Sequence, residues 1–151
     1  MQVIGSVYVN DGEYGDFGWM LKQPDYDDAL FIFNDNEPQF RAFLKDQTPG
    51  SEGCAVGGGN AAIRPYRCQN PPRAQGIPTG TTHGYPQLTP EVKQVIDESF
   101  GVIRTTLKSG RYERVFYSAA DAQGDLGVGI FKDLGDDVKS YIVAELRKLA
   151  Q

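Results

Sequence analysis

The 151-residue sequence predicts a three-layer α/β domain. Three observations carry that prediction. Apolar, strand-like runs alternate with helical patterns, most clearly in the second half of the chain. One of those runs, ALFIF at 29–33, is continuously apolar, as expected of a strand buried on both faces. Twice, an apolar strand is followed by a glycine loop. ALFIFNDN (29–36) precedes GCAVGGGNAAIR (53–64), and RVFYSA (114–119) precedes GDLGVGIF (124–131). No internal repeat, low-complexity tract or change of composition divides the chain, so a single domain over 1–151 is expected.

The elements follow in order. Residues 2–9, QVIGSVYV, mix alternation with β-branched residues and read as a strand. NDGEYGDFG (10–18) is a turn-rich loop, GWMLKQ (18–23) a possible short strand, and PDYDD (24–28) a turn. EPQFRAFLKD (37–46) reads as a short helix with Pro38 tolerated in its first turn. The glycine triplet then leads into a short helix or turn that Pro65 is expected to end. Gln69 to Pro90 is irregular, with a short strand at 75–78. TPEVKQVIDESFGVIRTTLKSG (89–110) is an amphipathic helix. Thr89 is its N-cap, Pro90 sits at its first position and Gly110 follows its end. Val92, Val95, Ile96, Phe100, Ile103 and Leu107 fall on one face. Residues 133–150 form the closing helix. Val138, Ile142 and Leu146 line its core face, its acids come early, and Arg147 and Lys148 come late, which matches the helix dipole.

Composition narrows the function. A net charge of −5 argues against a nucleic-acid-binding surface, which needs clustered Lys and Arg. A local basic patch is still available around Arg64, Arg67 and Arg73. No apolar run approaches the roughly 20 residues of a bilayer span, so no membrane partner is expected. The first residues lack a basic start and a long apolar stretch, so they do not read as a signal peptide, and a cytoplasmic location is expected. Two cysteines without a nearby histidine do not make a zinc site, and neither a metal nor a cofactor is expected. A Cys54–Cys68 disulfide is possible on paper. A reducing compartment disfavours it, so two separate structural thiols are the expectation.

The candidate site is built from the two glycine loops. Gly57, Gly58 and Gly59 remove every side chain from a stretch of backbone, so a ligand can approach the main-chain N–H groups closely. This is not a Walker loop, because no Gly-Lys-Ser/Thr follows, and the G-x-G-x-x-G fingerprint is not met either. Gly127, Val128, Gly129 and Ile130 can close on the other side of a phosphate. Phe131 can pack on a ribose or fill the core. Asn34 and Asn36 can hydrogen-bond hydroxyls or simply turn the chain at a strand end. Asn60 offers the same chemistry, and Arg64 can meet a phosphate or a carboxylate. Asp35, Asp121 and Asp125 are candidates to activate water, with Asp35 and Asp125 the stronger pair. His83, the only histidine, lies in the polar loop GTTHGYP and reads as a bystander. Tyr14, Phe17 and Trp19 can stack on a base or serve packing.

In order and spacing these segments resemble the macro domain, an ADP-ribose-binding family. ALFIFNDN is similar to that family's strand with an asparagine-rich tip, GGGNAAIR (57–64) to its first glycine loop, and GVGIF (127–131) to its phosphate-binding loop. The terminal helix fits as well, so the resemblance spans residues 29–150. It implies a mixed central sheet and a cleft between two loops that takes ADP-ribose or a related nucleotide derivative. An early aspartate, Asp11 or Asp16, would recognise the adenine. Two activities follow from it: hydrolysis of an ADP-ribosyl linkage, or non-catalytic reading or sequestering of such a nucleotide. The partner would be the free nucleotide or an ADP-ribosylated macromolecule.

Overall fold

A computed structural model describes residues 1–129 and 131–151. Its strands are β1 (Gln2–Val7), β2 (Ala29–Asp35), β3 (Ala74–Pro78) and β4 (Arg114–Ala119). They form one sheet in the order β1-β4-β2-β3. Every neighbouring pair is parallel, with Gln2 opposite Arg114, Ala29 opposite Arg114 and Phe31 opposite Ala74 at the entry ends. The expected mixed sheet is therefore corrected to an all-parallel one. The reason is connectivity. Antiparallel neighbours are joined by tight hairpins, whereas each link between successive strands here is a long crossover carrying helices.

The helices are α1 (Phe17–Met20), α2 (Glu37–Lys45), α3 (Pro90–Ser109) and α4 (Asp136–Lys148), with a ten-residue 3-10 helix over Gly59–Cys68. The sheet splits its side chains by strand periodicity. Leu30 and Ile32 of β2 join Val115 and Tyr117 of β4 in a cluster with Phe40 of α2, Ile96 and Phe100 of α3, and Val138 and Ile142 of α4. Ala29, Phe31, Phe33 and Phe116 point the other way, into a cluster with Phe17 and Met20 of α1 and Ala61 and Ile63 of the 3-10 helix. Phe31 and Phe116 stack there at 5.4 Å between ring centroids.

Three expectations change. The stretch at 18–23 is not a strand. Phe17 and Met20 bury at helical spacing, and Asp16 accepts hydrogen bonds from the N–H groups of Gly18 and Trp19 as the N-cap of α1. Pro65 does not end the helix it lies in. Its fixed φ matches 3-10 geometry, and Ile63, Arg64 and Arg67 around it are buried. The cysteines are not separate thiols. The 3-10 helix brings Cys68 back beside Cys54 at a Cα separation of 6.0 Å, and the two are disulfide-bonded. Thr89 caps α3 as expected, accepting from the Val92 N–H. Among the described residues, no helix is long and apolar enough to cross a membrane.

Candidate functional site

The carboxyl ends of all four strands open on one cavity of about 450 Å³. Tyr8 follows β1, Asn34 and Asp35 end β2, Thr79 follows β3, and Ser118 and Ala119 end β4. In an open parallel sheet the ligand crevice lies at these ends, where the strand order reverses. Here the reversal is the return of the last strand, β4, to a place between β1 and β2.

The two glycine loops form facing walls. Gly57, Gly58, Gly59, Asn60 and Arg64 line one, and Gly127, Val128, Gly129 and Phe131 the other. Asn34, Asp35 and Asn36 lie at the strand end between them, so the structure brings these sequence candidates together around one space. Ile130 lies outside the described residues. The 3-10 helix starts at Gly59, and the first N–H groups of a helix have no partner within it. Among the described residues, no acceptor meets the N–H groups of Gly58, Gly59 and Asn60, nor those of Val128 and Gly129. Gly59 and Gly129 hold φ of +55° and +59°, the left-handed region that turns successive N–H groups toward one side. Among the described residues, a Cβ on Gly58, Gly59 or Gly129 would meet nothing within 4 Å. No packing demand excludes side chains from these three positions.

Beneath the first loop lies an ionic clamp. Asp35 is 2% exposed. Its Oδ1 accepts from Arg64 Nη2 at 3.0 Å and from the Asn36 N–H at 2.8 Å, and its Oδ2 accepts from Arg67 Nη1 at 2.6 Å. Arg67 also donates to the carbonyls of Gly53 and Gln39, and Arg64 to that of Ala55. Phe33 lies under both guanidinium groups and Phe43 under that of Arg67. Burial pulls the Arg67 pKa below the ordinary arginine value, and the Asp35 carboxylate opposes the pull. Two cations on one carboxylate leave a buried excess of positive charge beside the cavity, which favours an anion there.

The clamp engages Asp35, the expected base, on both of its oxygens. A general base needs a free lone pair aimed at substrate, whereas both oxygens of Asp35 are taken by arginines. Asp125, the other expected catalytic acid, does not line the cavity. It is exposed, off the cavity wall, in a loop held by the Ala119–Leu126 bridge. A hydrogen bond with Asp121 and that neighbour's charge raise its pKa.

Each cavity asparagine also makes a hydrogen bond within the protein. Asn34 Nδ2 donates to the Gly127 carbonyl at 2.5 Å and fastens β2 to the second loop. Asn36 Oδ1 accepts from Gln39 N–H and caps α2. Asn60 accepts from Phe17 N–H and donates to Gly15 O and Ser118 Oγ, tying the first loop to α1 and β4. They shape the cavity wall together with the backbone of the glycine loops. Asp16 is occupied as a cap, and Asp11 accepts the Tyr8 hydroxyl. His83 is exposed beside Asp133, away from the cavity. Tyr14, Phe17 and Trp19 do not line it either, and Tyr8 and Phe131 are its wall aromatics. Tyr8, Thr79 and Ser118 were not expected from the sequence. Their signal is position, immediately at or after strand ends, and it becomes legible only once the strands are known to be parallel.

Gly53 supports the clamp from outside. A Cβ there would stand 2.3 Å from Phe43 N. Gly53→Ala should therefore destabilise the fold by about 1–3 kcal/mol. That corresponds to a fall in melting temperature of roughly 2–12 °C for a domain of this size. An unchanged thermal melt would show that α2 yields freely here.

Compared with family models, with curated proteins and with solved structures, the chain matches none of them.

Proposed function

We propose that the cavity binds ADP-ribose or a related nucleotide derivative, held by its diphosphate between the two glycine loops. The observation that carries this reading is the pair of facing loops whose N–H groups lack acceptors among the described residues. Backbone N–H groups in this arrangement suit phosphate oxygens. The cavity volume of about 450 Å³ falls within the roughly 300–1,000 Å³ usual for small-molecule sites. Phe131, Val128 and Tyr8 supply apolar surface for a sugar or base. The resemblance to the macro domain selects ADP-ribose among phosphate-bearing ligands.

Binding is favoured over turnover. Among the described residues, the one carboxylate on the cavity wall is Asp35, and it is held by Arg64 and Arg67. The protein is thus read as a non-catalytic reader or sequestering protein for an ADP-ribose-derived nucleotide, free or borne on a macromolecule. Thermal melts with ADP-ribose, ADP, NAD and a cyclic ADP-ribose derivative test it. A true ligand at 100 times its Kd adds about 2.7 kcal/mol. That stabilisation raises the melting temperature by roughly 5–11 °C. No shift with any of the four rejects the reading.

A further inference from the structure

We propose that the Cys54–Cys68 disulfide controls the cavity, holding the first glycine loop ready for ligand and releasing it when a dithiol reduces the bond. The inference rests on the reading that the cavity binds an anionic nucleotide, and it adds a regulation to that same site.

The bond joins the residue that leads into the glycine triplet to the last residue of the 3-10 helix. The loop it closes contains the whole first wall, from Gly57 to Arg64. Within that loop, the stretch between Cys54 and Asn60 has no side chain to anchor it. Ala55 and Val56 are exposed, Val56 at 70%, and the next three residues are glycines. Asn60 fixes one end of the stretch through Gly15, Phe17 and Ser118. Cys54, 3% exposed, fixes the other. The carbonyls on either side of Cys54, those of Gly53 and Ala55, accept from Arg67 and Arg64. Freeing Cys54 thus releases the loop and slackens the support of the clamp together. A cross-link of this kind acts by removing the disordered arrangements the loop would otherwise sample.

A dithiol donor would approach the bond from the Cys68 side. Cys54 is buried, but Cys68 is only partly so and lines a second cavity of about 830 Å³ beside Phe43, Leu44, Gln47, Gln69 and Asn70. A donor thiolate entering there attacks Cys68 Sγ. The Sγ–Sγ bond breaks, and Cys54 leaves as a thiolate that takes up a proton, with Ser51 Oγ 3.3 Å from its sulfur. The donor's second thiol then attacks the mixed disulfide and releases Cys68. The donor ends as its own disulfide, and two electrons and two protons have passed to the protein.

Amide hydrogen exchange and calorimetric titration with ADP-ribose, on the oxidised protein and on the protein reduced with dithiothreitol, test the proposal. Reduction should speed exchange of the hydrogen-bonded amides of Ala55, Gly57 and Ala61 by about tenfold or more and leave the middle of α3 unchanged. If the loop is ready about a tenth of the time, the apparent Kd rises about tenfold. The Cys54→Ser/Cys68→Ser double variant should match the reduced protein and be indifferent to dithiothreitol. Equal exchange in the two redox states overturns the proposal, as does faster exchange with an unchanged Kd. If ADP-ribose binds neither form, the proposed function falls, and the exchange comparison still decides whether the disulfide holds the loop.

Discussion

Asp35→Asn should lower the melting temperature by roughly 6–20 °C. The figure comes from removing one partner of a buried ion pair, which costs about 3–5 kcal/mol because the remaining charge is left uncompensated. At about 2–4 °C per kcal/mol for a domain of this length, the range follows. Two guanidinium groups face the same carboxylate here, and both are buried, so the substitution strands two charges. Asparagine keeps the size and one acceptor, so loss of charge, not a cavity, is what the experiment reads. Asp125→Asn is the control. Its side chain is exposed and off the cavity wall, and surface changes of that kind stay within about 0.5 kcal/mol. If the two variants melt alike, Asp35 is not the keystone of the clamp. The comparison also protects any later activity assay, because an Asp35 variant that loses function by unfolding says nothing about proton transfer.

The glycine loops were legible because their composition has no packing explanation. Among the described residues the structure gives them none either, since a Cβ on Gly58, Gly59 or Gly129 would meet open space. Thr89, Pro90 and the apolar face of α3 were legible because capping and helical periodicity are local. The clamp was not. Nothing near Asp35 in sequence announces Arg64 and Arg67, which reach it only because the 3-10 helix packs against Phe33 and Ala74. The same long-range geometry sets the partners of Asn34, Asn36 and Asn60. Residue type gives the capacity to hydrogen-bond, but the partner is chosen by tertiary structure, and here the Gly127 carbonyl, the α2 N-terminus and Ser118 each engage one amide atom of these residues. The strand misassigned at 18–23 shows the limit of short windows. Six residues with two buried apolar side chains fit either period until the Asp16 cap decides.

Gly58→Val should weaken ADP-ribose binding at least about 100-fold while leaving the fold intact. The backbone at Gly58 is extended, with φ −85° and ψ 162°, a conformation β-branched residues adopt readily. Among the described residues its Cβ would meet nothing within 4 Å, and the added side chain stands beside N–H groups of the first loop that have no acceptor there. Stability should hold or rise slightly, since replacing glycine at a compatible position narrows the unfolded ensemble by about 0.4–1 kcal/mol. Affinity falls because a phosphate displaced from the loop loses hydrogen bonds to a charged group, worth about 1.5–3 kcal/mol each. Loss of two is enough for the expected factor at about 1.4 kcal/mol per tenfold. Gly59→Val would be a poorer test, because φ of +55° strains any β-branched residue and mixes folding with binding. Calorimetric titration alongside a thermal melt separates the two effects at Gly58. A stable variant that binds ADP-ribose like the wild type would mean the diphosphate does not cross this loop, and the assignment of the cavity's first wall would have to be abandoned.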